Sequence, residues 1–336
     1  MDIILTLDYE LFLNDKTGTV QKCLEKPVFE LQKVCERRAF RYTVFVDAAY
    51  LYMLEQLKKQ SEDLEEDYQR VCDNIRWIKA KGHDVQLHIH PQWYYSKYSR
   101  GVWTLDWNHY RLSDMKPDEA ARLFKASKDL LDEIIGEKVT IYRAGGYSLP
   151  GSDYYNLFKE NGIDADSSVL PGIKEITSTH KFDYRGLPYV PYRFNDVCKP
   201  CPDGLFVELP ISFAKELFIT KYLSIKKRFM KDKENINWGD GGDNPVVGMA
   251  NNLKKRLASF TIFKQPRATI DYQSFFFLRS TYDNSKKNGY MTIIGHPKNF
   301  SPASLNFFDS FVKDTLAAGD RFITAKEYCN QFIKEK

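Results

Sequence analysis

Four short stretches carry side chains whose types and spacing suit one kind of chemistry. Asp8-Tyr9-Glu10 sets two carboxylates one residue apart. On extended chain, alternate side chains project to the same side, so one carboxylate can bind a cation while the other takes a proton. His88-Ile89-His90 repeats that spacing with imidazoles, and two imidazoles on one face are ligands that zinc favours. His296 ends the apolar run Ile293-Ile294-Gly295 and titrates in the range of a general acid or base near neutral pH. Arg143 opens Arg143-Ala144-Gly145-Gly146-Tyr147. Its guanidinium can orient a carboxylate, and its glycines let a substrate approach the backbone closely. The combination suits a divalent-ion site with a base and a general acid beside it. Whether Asp8 is the base and Glu10 the ligand, or the reverse, is open at this level.

Each stretch follows an apolar run that reads as a strand, and helical stretches separate the runs. Expected strands cover Ile3–Leu7, Tyr42–Val46, Asp84–His90, Val139–Arg143, Ile163–Val169, Phe206–Leu209 and Tyr290–Ile294. Expected helices cover Pro27–Arg38, a long charged stretch Glu55–Lys81, Pro117–Ile135 opened by Ser113-Asp114, Gly151–Asn161, Ser274–Lys287, Pro302–Ala318 and a last one from Ala325. Alternation of this kind specifies parallel β/α architecture. In a β/α barrel, residues at the C-terminal ends of the strands face one pocket. The whole chain, 1–336, is expected to be one domain, interrupted at about 215–270 by a basic helical insertion that the turn Gly239-Asp240-Gly241-Gly242 divides.

Composition narrows the class. A hydrophobic fraction of 43% over 336 residues fits one large soluble domain. The 21 Tyr and 23 Phe suit sugar stacking, but a packed core explains them better. A net charge of +4 gives no case for nucleic acid. No apolar run approaches the roughly 20 residues of a membrane span. The opening Met1-Asp2-Ile3-Ile4 lacks a basic leader, so a cytoplasmic location is expected. Six cysteines without a signal peptide read as reduced thiols. Cys198-Lys199-Pro200-Cys201 has redox or half-zinc spacing, yet it lacks a second pair and reads as a surface loop.

In their order along the chain, these motifs resemble those of the NodB-type polysaccharide deacetylases, carbohydrate esterase family four. Thr6-Leu7-Asp8-Tyr9-Glu10 is similar to the family's opening Thr-Phe-Asp-Asp, with Tyr9 in the slot of the second aspartate. Gly82-His83-Asp84-Val85-Gln86-Leu87-His88 resembles its histidine motif, although Gln92 stands where a second histidine is usual. Arg143 to Tyr147 and the strand ending in His296 resemble its later motifs. Asp166-Ser167-Ser168-Val169-Leu170-Pro171 and Phe206-Val207-Glu208-Leu209-Pro210-Ile211-Ser212 are similar to stretches of the exopolysaccharide and exosortase-associated deacetylases.

The resemblance implies a distorted (β/α)7 barrel and a metal-dependent carbohydrate N-deacetylase. It assigns Asp8, Arg143 and His296 to catalysis, Tyr147 to the substrate or oxyanion, and Glu10 and His88 to the metal, with His90 as candidate for the missing ligand. The ion would be Zn2+, or Co2+ or Ni2+ in its place. The implied partners are an N-acetylated sugar, an oligosaccharide or a lipid-linked glycan of cell-surface synthesis. Two other readings compete. One is a glycan-binding barrel without catalysis. The other is a glycoside hydrolase, which needs two carboxyl groups flanking the scissile bond. Leu217-Phe218-Ile219 and Tyr222-Leu223 beside Lys226-Lys227-Arg228 are further expected either to touch an anionic membrane surface or to form a solvated face or a lid over the active site.

Overall fold

The computed structural model describes residues 1–149, 154–213, 233–242, 267–271 and 276–334, with the side chains of Tyr154, Phe276 and Phe277 left aside. Most of the basic segment at 215–270, including the stretch considered for membrane contact, lies outside the described residues. So does the start of the helix expected from Gly151. No described helix is long and apolar enough to cross a membrane.

Seven parallel strands form the centre: β1 (Asp2–Tyr9), β2 (Thr43–Asp47), β3 (Asp84–Ile89), β4 (Ile141–Ala144), β5 (Ala165–Asp166), β6 (Phe206–Glu208) and β7 (Tyr290–Gly295). Their order around the sheet is β6-β5-β4-β3-β2-β1-β7. Tyr192–Asp196 adds an antiparallel strand to β6, and Arg321–Phe322 pairs with the start of β1. Between β6 and β7 the backbone of 211–213 and 267–270 bridges the gap. Ser212 N donates to Thr292 O (3.1 Å), Ala268 N to Ser212 O (2.7 Å) and Ile270 N to Ile294 O (3.2 Å). The sheet thereby curls into a distorted (β/α)7 barrel. Strands β1, β2, β3, β4 and β7 are buried at nearly every position, as parallel strands covered on both faces must be.

Helices α1 (Lys26–Arg38), α2 (Ala48–Leu57), α3 (Glu62–Ala80), α4 (Pro117–Ile135), α5 (Tyr154–Asn161), α6 (Phe276–Ser285), α7 (Pro302–Ala317) and α8 (Ala325–Lys334) connect the strands. Two expectations are corrected. The single long helix Glu55–Lys81 is in fact α2 and α3, separated at Ser61. Ser61 is extended (φ −157°, ψ 153°) and its side chain accepts from Leu64 N at 3.4 Å. A serine cap before the acidic turn Glu62-Asp63-Glu65 favours a fresh helix start over continuation. The strand expected over Ile163–Val169 shrinks to β5. Ser168 N and Oγ bond back to Asp166 at 2.7 and 2.9 Å, and such local side-chain bonds compete with a ladder. Pro117 opens α4 and Gly136 closes it with φ 66°, while Ser113-Asp114 belongs to a separate turn.

The turn 239–242 packs on the loop after β1. Asp240 Oδ1 accepts from Thr19 N at 2.8 Å, and a Cβ on Gly241 would meet Phe12 Cδ2 at 2.1 Å. Only glycine permits that approach. The aromatic excess goes into the core, where Trp93, Tyr42, Tyr142, Phe45, Phe124, Phe158 and Phe300 are fully buried.

Candidate active site

Strand register assembles the site. Along β1 the two-residue alternation turns Asp8 and Glu10 toward the barrel's C-terminal mouth and sends Tyr9 the other way, where its hydroxyl donates to Asn74 Oδ1 at 2.8 Å. Asp47 at the end of β2 is level with His88, and His88 is level with Arg143. Leu7 pairs with Gly295, which brings His296 beside Asp8. A cavity of about 200 Å³ opens there, lined by Asp8, Glu10, His88, His90, Tyr110, Tyr147, His180, Arg267, His296 and Lys298, among others.

One side of the cavity is a ligand cluster. Glu10 Oε2 lies 2.5 Å from His90 Nε2 and 3.4 Å from His88 Nε2. His88 Nδ1 is 2.8 Å from Arg143 O. A carbonyl only accepts, so Nδ1 carries the proton in the neutral ring and Nε2 turns its lone pair to the cluster. Asp47 holds the second imidazole's segment: it accepts from His90 N at 3.1 Å and from Trp93 Nε1 at 2.7 Å. Gly145 lies against it, since a Cβ there would sit 2.5 Å from Ile89 O and 2.8 Å from His90 Nδ1. Lys298 Nζ donates to Glu10 Oε1 and to Leu11 O, both at 2.8 Å.

Glu10 Oε2 and His88 Nε2 are buried without a hydrogen-bond partner. Leaving such atoms bare is costly. One ligand atom each from Glu10, His88 and His90 fits within 4.8 Å. Two imidazoles and a carboxylate converging on this buried space fit a divalent ion of zinc type. Charge agrees. Burial pushes the Glu10 carboxyl upward, but Lys298 and His90 outweigh it and hold the group well below the ordinary range. Burial lowers His88, yet Glu10 and Asp8 raise it to about 9. The carboxylates that draw a proton onto this imidazole equally draw a cation.

The other side centres on Asp8. Arg143, fully buried, donates through Nη1 to Asp8 Oδ1 at 2.6 Å, through Nε to Ser167 O at 2.8 Å and through Nη2 to Ser167 Oγ at 2.9 Å. Burial pushes Asp8 upward, but Arg143, His88 and His296 bring it below the usual aspartate value. Behind Arg143 the stretch Asp166 to Val169 is pinned in turn. Ser167 Oγ donates to Leu209 O at 2.8 Å, and Glu208 Oε1 accepts from Val169 N at 3.0 Å. Burial and the Asp166 charge push the Glu208 carboxyl well above the carboxylate range. His296 Nε2 faces Asp8 Oδ2 at 3.6 Å, while Asp271 Oδ2 lies 2.5 Å from Nδ1 and Asp271 Oδ1 accepts from the His296 amide at 2.7 Å. Burial lowers His296, but Asp271 more than compensates and the imidazole is raised above its ordinary value.

The structure therefore brings Asp8, Glu10, His88, His90, Tyr147 and His296 to one cavity, with Arg143 buried behind Asp8. Tyr147 has φ 57°, and its hydroxyl accepts from Arg267 Nη1 at 3.0 Å. Sequence reasoning missed Asp47, Tyr110, Arg267, Asp271 and Lys298. Asp47 carried a signal, a carboxylate ending a strand as Asp8 nearly does. Asp271 and Arg267 carried none, because the bridging backbone between β6 and β7 places them. Cys198 and Cys201 stand apart as free thiols at the hairpin Tyr192–Asp196/Lys199–Pro200.

Seven parallel strands with polar groups gathered at their C-terminal ends define a distorted (β/α)7 barrel with a buried carboxylate–histidine centre. No family model matches the sequence, and no curated protein matches it. Among solved structures the chain is similar to a protein of Pseudomonas aeruginosa PAO1 described as a polysaccharide deacetylase, with TM-score 0.53 and 15% identity over 99% of this chain and 91% of that one. It is similar to a Mycobacterium smegmatis protein described in the same way, with TM-score 0.51 and 14% identity over 99% and 90%. It is also similar to Puue allantoinase, with TM-score 0.52 and 13% identity over 97% and 88%. At such identities the likeness is one of fold: the chain has the barrel fold of the polysaccharide deacetylases.

Proposed function

We propose that this protein is a metal-dependent hydrolase that removes the acetyl group from an N-acetylated sugar used in cell-surface polysaccharide or glycolipid synthesis. The observation that carries the reading is the pairing of an arginine-clamped Asp8 with the orphaned Glu10–His88–His90 cluster across one buried cavity. A divalent ion held by Glu10, His88 and His90 would polarise the acetamide carbonyl and acidify a water.

Asp8 is ionised, and Arg143 fixes its Oδ1. Its Oδ2 faces the cavity side of His296 and is the atom that takes a proton from the attacking water. Asp271 holds His296 with Nε2 inward and favours its protonated form. That proton goes to the departing amine as the carbon–nitrogen bond breaks, leaving acetate and a free amino sugar. The Gly145–Tyr147 turn borders the same space and supplies the backbone that the acyl oxygen approaches.

A glycoside hydrolase would need one carboxyl group held protonated beside the cavity. Asp8 and Glu10 are both shifted downward, which disfavours that reading. Acetate release from chitin oligosaccharides, with zinc, cobalt or nickel supplied, tests the proposal. Asp8→Asn should abolish most of the release while the fold persists. Undiminished turnover in that variant would remove Asp8 from the mechanism.

A further inference from the structure

We propose that Arg267 is an anchor for an anionic substituent, so that the substrate is a charged N-acetyl sugar carrying a phosphoryl or carboxylate group. The inference deepens the deacetylase reading and rests on it. Its basis is the charge balance of the cavity wall. Asp8 is matched by Arg143 at 2.6 Å, Glu10 by Lys298 at 2.8 Å and Asp271 by His296 at 2.5 Å. Arg267 lines the same cavity and has no carboxylate partner among the described residues. Its guanidinium lies 4.5 Å from the centroid of the Tyr147 ring and gives Nη1 to the Tyr147 hydroxyl at 3.0 Å. Stacking and that bond fix the plane of the group, so its position does not depend on a flexible side chain finding a ligand.

A planar guanidinium held this way presents its remaining donors as a fork, which matches two oxygens of a phosphoryl or carboxylate group. A neutral acetamido ring would leave that charge unneutralised as the ring displaced water from the cavity. Also lining the cavity, His180 sits with its ring 5.7 Å from that of Tyr110. Its Nδ1 is 2.9 Å from Thr179 Oγ1 and 3.9 Å from Glu175 Oε1, so a carboxylate already attends that imidazole. Among the described residues, Arg267 is therefore the cavity-lining guanidinium with no carboxylate beside it, next to the turn that borders the reacting atoms.

The test compares three sugars on the metal-supplemented protein: N-acetylglucosamine, N-acetylglucosamine 1-phosphate and N-acetylmuramic acid. Acetate release gives kcat/KM, and calorimetry gives binding. At least one charged sugar should be preferred over the neutral one, and which one identifies the anion as phosphoryl or carboxylate. In Arg267→Met the ratio of charged to neutral kcat/KM should fall roughly ten- to a hundredfold, the range for loss of a charge-assisted hydrogen bond. Arg267→Lys should recover only part of it, since a point charge lacks the fork. If the variant slows charged and neutral sugars by the same factor, the anchor is wrong and the deacetylase reading stands. If no sugar releases acetate but a charged sugar binds and Arg267→Met loses it, the deacetylase reading fails and the anchor stands. Absence of any preference for a charged sugar, in binding or turnover, overturns the anchor.

Discussion

Replacing Arg143 by Met removes the guanidinium that both touches and neutralises Asp8. The guanidinium is fully buried and makes three hydrogen bonds at 2.6–2.9 Å, one to Asp8 and two to Ser167. Without it, Asp8 stays 2% exposed, with the His296 imidazole 3.6 Å away. Breaking a buried pair from one side costs about 3–5 kcal/mol, because the other charge is left uncompensated. Asp8→Asn keeps an oxygen that accepts from Arg143 Nη1 but leaves the buried guanidinium without its counter-charge, at a similar cost of about 3–5 kcal/mol. If these costs come from one shared ion pair, the double variant Asp8→Asn/Arg143→Met should be destabilised by at least about 2 kcal/mol less than the sum of the singles. Urea denaturation followed by tryptophan fluorescence measures all four corners of the cycle. Additivity within about 0.5 kcal/mol would mean that the two side chains do not share a buried pair, and the orientation of Asp8 would lose its basis.

Gly145→Ala should weaken divalent-ion binding roughly ten- to a hundredfold, as loss of ligand support does, because its methyl group would displace His90; a competitive chelator titration reads this. Asp271→Asn should lower kcat/KM roughly a hundredfold and move the alkaline limb of the pH–rate profile to lower pH. The Asp271 charge is what raises His296, so its loss lets the imidazole deprotonate earlier. His83 is buried between Tyr42 N (3.3 Å) and Gln32 Oε1 (2.7 Å), and burial pushes it down to about 4. A depressed histidine stabilises above its unfolded value and loses that contribution as pH falls through its folded one. Thermal stability should therefore drop between about pH 6.5 and 4 by more in the wild type than in His83→Gln.

Much of this architecture was legible because parallel strands and their ends leave local marks. Runs such as Ile3–Leu7 and Tyr290–Ile294 are too apolar to be surface, and each is followed at once by polar residues. The i, i+2 spacing in Asp8/Glu10 and His88/His90 fixes a common side without knowledge of the fold. What stayed hidden depends on tertiary register. Asp271 and Arg267 reach the cavity through backbone that closes the barrel between β6 and β7, and no sequence period announces such a bridge. Lys298 follows His296 by only two residues, but its value comes from Glu10, 288 positions away. The break at Ser61 was missed because helical periodicity resumes on both sides of it, and the cap outweighs continuity. The ambiguity between Asp8 and Glu10 is a matter of partners: the arginine on one and the imidazoles on the other support base and ligand respectively.

Elemental analysis beside acetate release, on the same preparations of the wild type and of His88→Ala/His90→Ala, tests the central claim most directly. The wild type should hold about one divalent ion per chain, with both the ion and acetate release lost from the double variant. Acetate release that persists in protein stripped of every divalent ion would contradict it.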